Sequence, residues 1–91
     1  MSSTTTITVE KLTRLIGTPK CPAIIDVRAE EDFAADPRLI PGSLRRPHSA
    51  VPAWAAELAG RTAITVCQRG RKLSEGAAAW LRHAGCAAEA L

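Results

Sequence analysis

The sequence predicts an α/β fold in which helices cover both faces of a central parallel sheet. Short apolar or β-branched segments alternate along the chain with segments of helical periodicity, and this order is typical of parallel strands connected by helices. The loops between them are short, and no internal repeat or linker interrupts the pattern. With 91 residues, the chain is expected to form one domain over residues 1–91, with a thin core.

Four segments are predicted to be strands. Residues 6–9 are rich in β-branched side chains, which favour extended backbone. Residues 23–27 form a short, mostly apolar run, as expected of a strand buried on both faces. Residues 62–66 are the clearest strand, because apolar and β-branched residues follow one another without a break. A last strand is predicted to begin at about residue 86.

Four segments are predicted to be helices, over residues 10–16, 29–35, 49–60 and 71–83. Gly17 ends the first of them. Ser49 is predicted to cap the third, with Pro52 tolerated in its first turn. The fourth has a broad apolar face that includes Trp80. A Pro-Gly pair predicts a turn over residues 40–43.

Composition and charge exclude several classes of function. The net charge is +3, and no run of like charge is long enough to suggest a nucleic-acid or membrane-surface partner. No apolar run approaches the roughly 20 residues that span a bilayer, and the amino terminus does not resemble a signal peptide. The three cysteines form no C-x-x-C pair, so neither a disulfide framework nor a metal site is expected. Free thiols in a reducing cytoplasm are the simplest interpretation.

The best candidate for chemistry is the thiol of Cys67. It follows the predicted strand 62–66 and precedes the last helix, and ligands of parallel sheets bind at such a strand end. The five residues after it include three cations: Gln68, Arg69, Gly70, Arg71 and Lys72. Backbone amides at a helix start and nearby cations both favour a thiolate over a thiol. A thiolate can attack a sulfur–sulfur bond, and the same surroundings suit a small dianion such as thiosulfate.

Several short motifs follow one another along nearly the whole chain. They are IDVR at 25–28, EDFAA at 31–35, IPGS at 40–43, VCQRG at 66–70 and AAAWLRHAG at 77–85. In order and spacing they resemble the signatures of the rhodanese-like domain family, which implies a three-layer fold and sulfurtransferase activity through a cysteine persulfide. A weaker resemblance, to the amino-terminal rhodanese part of bacterial two-domain proteins associated with chromate resistance, is carried by RRPH at 45–48, WAAEL at 54–58 and KLSEG at 72–76.

The resemblance also implies roles for individual residues. Cys67 matches the cysteine that accepts sulfur, and residues 68–72 match the rest of the loop whose amides surround the persulfide. Asp26 and Arg28 match a pair that supports the strand end and the following helix. The implied donor is thiosulfate or a persulfide, and the implied acceptor is cyanide, a small thiol or a protein thiol. No metal or organic cofactor is implied.

The chain departs from the family pattern in three places. Leu39 stands where many members have His before Ile-Pro-Gly, and Cys86 occupies a position that is often aromatic or aliphatic. Members normally continue after the last strand with a closing helix, whereas this sequence ends at Leu91. The expected consequence is exposed apolar sheet surface, with either reduced stability or self-association through that face.

Two other functions stay open on the sequence alone. A cysteine phosphatase of the same fold needs a loop one residue longer, with Arg six positions after the cysteine; that position here is Leu73. An inert regulatory or binding module would keep the fold without turnover, with Cys67 as a small buried residue. His48 and His83 are predicted to be surface residues, and both tryptophans are predicted to be core residues.

Overall fold

The computed structural model describes residues 6–67 and 72–91. Its strands are β1 (Ala23–Asp26), β2 (Leu44–Arg45), β3 (Thr62–Val66) and β4 (Ala87–Ala90). Its α-helices are α1 (Val9–Leu15), α2 (Glu30–Ala35), α3 (Val51–Trp54) and α4 (Lys72–His83). Two 3₁₀ turns, His48–Ala50 and Ala55–Leu58, flank α3.

The strands form one parallel sheet in the order β2–β1–β3–β4. In the central pair, Ile24 lies opposite Ile64 and Asp26 opposite Val66. Helices α3 and α4 pack against one face of the sheet, and α1 packs against the other. The predicted α/β class, the parallel sheet and the helices on both faces are therefore confirmed.

The strand predicted over residues 6–9 is wrong in most of its length. Thr6 forms an isolated parallel bridge with Ala90, but Val9 already belongs to α1. Thr8 is the N-cap of that helix, and its side-chain oxygen accepts a hydrogen bond from the Lys11 amide at 3.1 Å. A capping hydroxyl satisfies an amide that would otherwise lack a partner, and this local bond outweighs the β preference of the segment.

The helix predicted over residues 49–60 is divided into three short pieces. Ser49 lies inside the first 3₁₀ turn, and Ala50, which has no capping side chain, precedes α3. The predicted Ser49 cap is therefore wrong. Trp54 is buried at the end of α3 as predicted, and its indole Nε1 donates a hydrogen bond to the Pro47 carbonyl at 2.9 Å.

Strand β2 was not predicted from the sequence, because two residues carry no periodicity. It follows the predicted turn over residues 40–43, in which the Ser43 amide donates to the Ile40 carbonyl at 2.9 Å and Gly42 adopts a φ of +81°. The turn brings Leu44 into register with Ile25 of β1. Strand β2 therefore lies beside the carboxyl end of β1.

The buried stripe of α4 is narrower than the sequence predicted. It consists of Ser74, Ala77, Ala78 and Leu81, which follow the i, i+3, i+4, i+7 spacing of a single helix face. Trp80 lies outside this stripe and is 49% exposed, so its predicted place in the core is wrong. Its ring meets that of His83 edge to face, and His83 is exposed as predicted.

The face of the sheet beside α1 contains a groove of about 420 Å³. Its apolar lining includes Ile7, Leu15 and Ile64, and the side chains of Lys11 and Arg82 also contribute. Within the described residues, no helix is both long enough and apolar enough to cross a membrane.

Candidate active site

Cys67 lies directly after β3, at the carboxyl end of the sheet. Its side chain is partly buried and packs against the core cluster shared by the sheet, α3 and α4. The thiol Sγ donates a hydrogen bond to the Ser74 hydroxyl at 3.2 Å. The sulfur is therefore held by a polar contact while part of its residue stays accessible.

Ser74 connects the end of β3 to the first turn of α4. Its hydroxyl accepts the hydrogen bond from Cys67, and its carbonyl accepts one from Thr65 Oγ1 at 2.7 Å. Both Thr65 and Ser74 are fully buried. Ser74 is not among the site residues predicted from the sequence, although a serine on the buried stripe of an alanine-rich helix is a signal that could have found it.

The structure describes only one of the five loop residues that follow Cys67. Gln68, Arg69, Gly70 and Arg71 lie outside the described residues. Lys72 is the first residue of α4 and is exposed. It borders a shallow depression between α3 and α4 together with His48 and Trp80, rather than the cavity at Cys67.

Asp26 and Arg28 form a buried ion pair at the carboxyl end of β1. Arg28 Nη2 lies 2.7 Å from Asp26 Oδ2, and Arg28 Nε donates to both carboxylate oxygens. The Asp26 carboxylate also accepts a hydrogen bond from the Arg28 amide at 2.9 Å. The side-chain hydrogen bonds to Asp26 raise the pKa of the Arg28 guanidinium above its ordinary value, so the guanidinium stays charged. Their role as structural support stays a prediction.

The guanidinium of Arg28 also fixes the loop between α2 and the turn at 40–43. Its Nη1 donates to the Asp36 carbonyl at 2.7 Å, and its Nη2 donates to the Arg38 carbonyl at 2.9 Å. Arg38 in turn donates hydrogen bonds to the Asp36 carboxylate, which lower the pKa of Asp36 to about 2. The Nε, Nη1 and Nη2 groups of Arg28 therefore all make contacts within the protein, to Asp26 and to this loop.

Arg45 is a second cation at this edge that the sequence analysis did not select. Its Nη1 donates to the Arg28 carbonyl at 3.0 Å and lies 3.8 Å from Asp26 Oδ1. Its guanidinium carbon lies 4.2 Å from the centre of the Phe33 ring, a cation–π contact. This contact explains why Phe33 of the EDFAA motif matters locally: the ring supports a cation that faces Asp26.

A cavity of about 140 Å³ opens beside these groups. It is lined by Asp26, Arg28, Arg38, Ile40, Ser43, Val66 and Cys67. The structure therefore brings three of the predicted site residues, Asp26, Arg28 and Cys67, to one cavity. Ser43 also lines it, and this residue carries a buried hydroxyl for which the described part of the chain provides no hydrogen-bond partner.

The fold and the site together define a class of protein: an α/β domain with a thiol at the carboxyl end of a parallel sheet, beside a small polar cavity. The rhodanese-like domain family matches residues 8–90. The chain belongs to the rhodanese-like domain family. No curated protein matches its sequence.

Solved structures resemble the fold closely. The protein SSP1007 from Staphylococcus saprophyticus has a TM-score of 0.78 and 25% identity, over 96% of this chain and 85% of that one. A rhodanese-like domain protein from Staphylococcus aureus has a TM-score of 0.76 and 24% identity, over 93% of this chain and 81% of that one. The human single-domain sulfurtransferase TSTD1 has a TM-score of 0.70 and 26% identity, over 93% of this chain and 86% of that one.

Proposed function

We propose that this rhodanese-like domain is a sulfurtransferase that carries sulfane sulfur as a persulfide on Cys67. The donor is thiosulfate or a persulfide, and the acceptor is cyanide, a small thiol or a protein thiol. The observation that carries the proposal is the position of the Cys67 thiol, which is partly accessible at the end of β3 and lines a small polar cavity.

The reaction is an exchange at sulfur without net oxidation. The Cys67 thiolate attacks the outer sulfur of thiosulfate, and a new sulfur–sulfur bond forms as the bond to the sulfonyl sulfur breaks. Sulfite leaves with the electron pair of the broken bond. In the second step an acceptor thiolate or cyanide attacks the outer sulfur of the persulfide, and the Cys67 thiolate leaves.

Two features of the surroundings support a nucleophilic role for Cys67. The hydrogen bond between the Cys67 sulfur and the Ser74 hydroxyl, at 3.2 Å, holds the sulfur beside the cavity that it lines. The other two cysteines are less suited to the role. Cys86 is buried, and that burial raises the pKa of its thiol; Cys21 packs against the opposite face of the sheet.

Family membership supports the same reaction, since TSTD1 is named a sulfurtransferase. The phosphatase alternative finds little support. Phosphatases of this fold, as the sequence resemblance implies, use an Arg six positions after the cysteine to hold phosphate oxygens. Leu73 occupies that position here, and its side chain packs against the core cluster beside Ala77. An apolar side chain that is committed to packing supplies no donor to a phosphate.

The test is the mass of the intact protein after incubation with thiosulfate and removal of excess donor. We expect a gain of one sulfur atom, which cyanide then removes as thiocyanate. Cys67→Ser should gain none, because it lacks the accepting sulfur. The matched control is Cys21→Ala/Cys86→Ala, which keeps Cys67 and should load like the unmodified chain.

Two results would reject the proposal. If thiosulfate and inorganic polysulfide both leave the mass unchanged while the protein is folded, the domain is an inert module of the family. If Cys67→Ser still gains sulfur, a different residue is the carrier.

A further inference from the structure

The hydroxyl of Ser43 has no role in the fold as described. Its Oγ is buried, and within residues 6–67 and 72–91 it has no hydrogen-bond partner. Buried polar groups in folded proteins are nearly always hydrogen-bonded, and an exception needs an explanation, such as a ligand that the group serves. Ser43 lines the same cavity as Cys67.

The backbone on both sides of Ser43 is fixed. On the amino-terminal side its amide donates to the Ile40 carbonyl at 2.9 Å, closing the turn at 40–43. On the carboxyl-terminal side Leu44 is paired with Ile25 of the sheet. Because the backbone on both sides is fixed, little conformational entropy is lost at Ser43 when a ligand binds to its hydroxyl.

The charged groups that line the cavity are already paired within the protein. The Asp26 carboxylate is neutralised by Arg28 at 2.7 Å, and the Nε, Nη1 and Nη2 groups of Arg28 all donate within the protein. Arg38, at the edge, is paired with Asp36 at 2.8 Å, although its side chain is highly exposed. Among the described residues that line the cavity, Ser43 therefore provides an uncommitted hydroxyl donor.

From these contacts we infer that Ser43 is a specificity-determining residue, whose hydroxyl donates a hydrogen bond to an oxygen of a small oxyanionic sulfur donor while Cys67 attacks its outer sulfur. This inference rests on the proposed sulfurtransferase function and names the class of donor. Hydrogen bonds from hydroxyls to anionic oxygens are strong, whereas sulfur is a weak acceptor. The site therefore favours thiosulfate over donors that consist of sulfur alone.

The size of the cavity agrees with a small inorganic donor. Its volume of about 140 Å³ equals that of roughly four or five water molecules in the liquid. An inorganic oxyanion fits such a space, whereas a bulky organic persulfide would have to remain largely outside it.

The test compares Ser43→Ala with the unmodified protein for two donors, thiosulfate and inorganic polysulfide. The readout is the second-order rate constant for sulfur loading of Cys67, followed by intact mass. We expect the variant to lose roughly tenfold to a hundredfold with thiosulfate and to change by less than about twofold with polysulfide, which has no oxygen to bond. Ser43→Thr keeps a hydroxyl and should recover most of the preference for thiosulfate.

A stability measurement separates this role from a merely structural one. Removing an unpaired buried hydroxyl relieves a desolvation cost, so Ser43→Ala should melt at the same or a higher temperature than the unmodified protein. A lower melting temperature together with slower loading from both donors would assign Ser43 to the fold and overturn the inference. Equal loss or no loss with both donors would also overturn it.

The same experiment distinguishes failure of the inference from failure of the proposed function. If the unmodified protein loads sulfur from neither donor, the sulfurtransferase function itself is rejected. If it loads from both, and Ser43→Ala behaves like it with each, only the assignment of Ser43 is wrong.

Discussion

The two faces of the sheet are covered to different depths. On one face, α3, its flanking 3₁₀ turns and α4 build a continuous core around Trp54, Leu58 and Leu81. On the other, α1 contributes Leu12 above Ile64, and a groove of about 420 Å³ remains beside it. We call the first the covered face and the second the open face.

The candidate site lies at the boundary between these faces. Cys67 packs against the cluster of the covered face, and its sulfur is bonded to Ser74 of α4. Val66 and Ile40, which line the same cavity, pack against the cluster of the open face. Side chains of the covered face thus hold the thiol in place, and side chains of the open face line the cavity beside it.

The largest expected difference between the faces is in the reactivity of their cysteines. Cys86 belongs to the cluster of the covered face and is 3% exposed, and its burial raises the pKa of its thiol. Cys21 packs at the margin of the open-face cluster and is only partly buried. In a Cys67→Ser background we expect iodoacetamide to modify Cys86 at least about a hundredfold more slowly than Cys21, because only the thiolate reacts and only after local opening.

The control for this experiment is the same protein unfolded in urea, where the two thiols should react at similar rates. Equal rates in the folded protein would mean that the covered face opens as readily as the open face.

The raised pKa of Cys86 also predicts that the stability of the protein depends on pH. Above the ordinary value of 9.0 the unfolded thiol ionises before the folded one, so stability should fall as the pH rises through that region.

A second comparison removes matched leucines from the two faces. Leu81 is fully buried in α4, and Leu12 is 3% exposed in α1. Leu81→Ala should cost about 4 kcal/mol and Leu12→Ala about 2–3 kcal/mol, because the cost depends on how well the surroundings collapse and the groove lets side chains near Leu12 move. Equilibrium unfolding in urea measures both. Equal costs, or a larger cost at Leu12, would contradict the difference between the faces.

The central sheet could be predicted because its signals are local and agree with its environment. Strand β3 has the bounds predicted for it, and a continuous β-branched run is what a strand buried on both faces requires. Strand β2 could not be predicted, because two residues are held only by their pairing with Ile25 and Asp26. The predicted apolar face of α4 was too broad, and it wrongly placed Trp80 in the core. Which side of this helix is buried depends on the position of the sheet, which the helix sequence does not show.

The site could be predicted as far as the thiol but not as far as its partners. The motif around Cys67 is contiguous, so the strand end and the following helix are visible in the sequence. Ser43 and Arg45 reach this region from a turn and from β2, and no local pattern in the sequence predicts their place at the site. Ser74 has a local signal, as a serine on the buried stripe of α4, but its contact with Cys67 depends on how that helix packs. The predicted lack of a closing helix and the predicted self-association stay predictions; sedimentation at increasing protein concentration tests the second.

The smallest effects come from two threonines on opposite faces of β3. Thr65 is fully buried on the covered face and donates to the Ser74 carbonyl at 2.7 Å, whereas Thr62 is exposed and lines the groove. Thr65→Val should cost about 1 kcal/mol through the lost hydrogen bond, or roughly 4–8 °C in a domain of this size. It should also slow sulfur loading, since Ser74 loses one of its supports.

Thr62→Val is the matched control for that substitution, because it makes the same chemical change on the same strand. It removes no hydrogen bond found among the described residues and adds apolar surface to the groove, so we expect a change within about 0.5 kcal/mol of zero and unchanged loading of Cys67. Thermal unfolding and the loading assay measure both variants. If Thr62→Val proves as harmful as Thr65→Val, the threonines matter for strand propensity rather than for the face they occupy, and the polar link from β3 to α4 contributes nothing specific to the site.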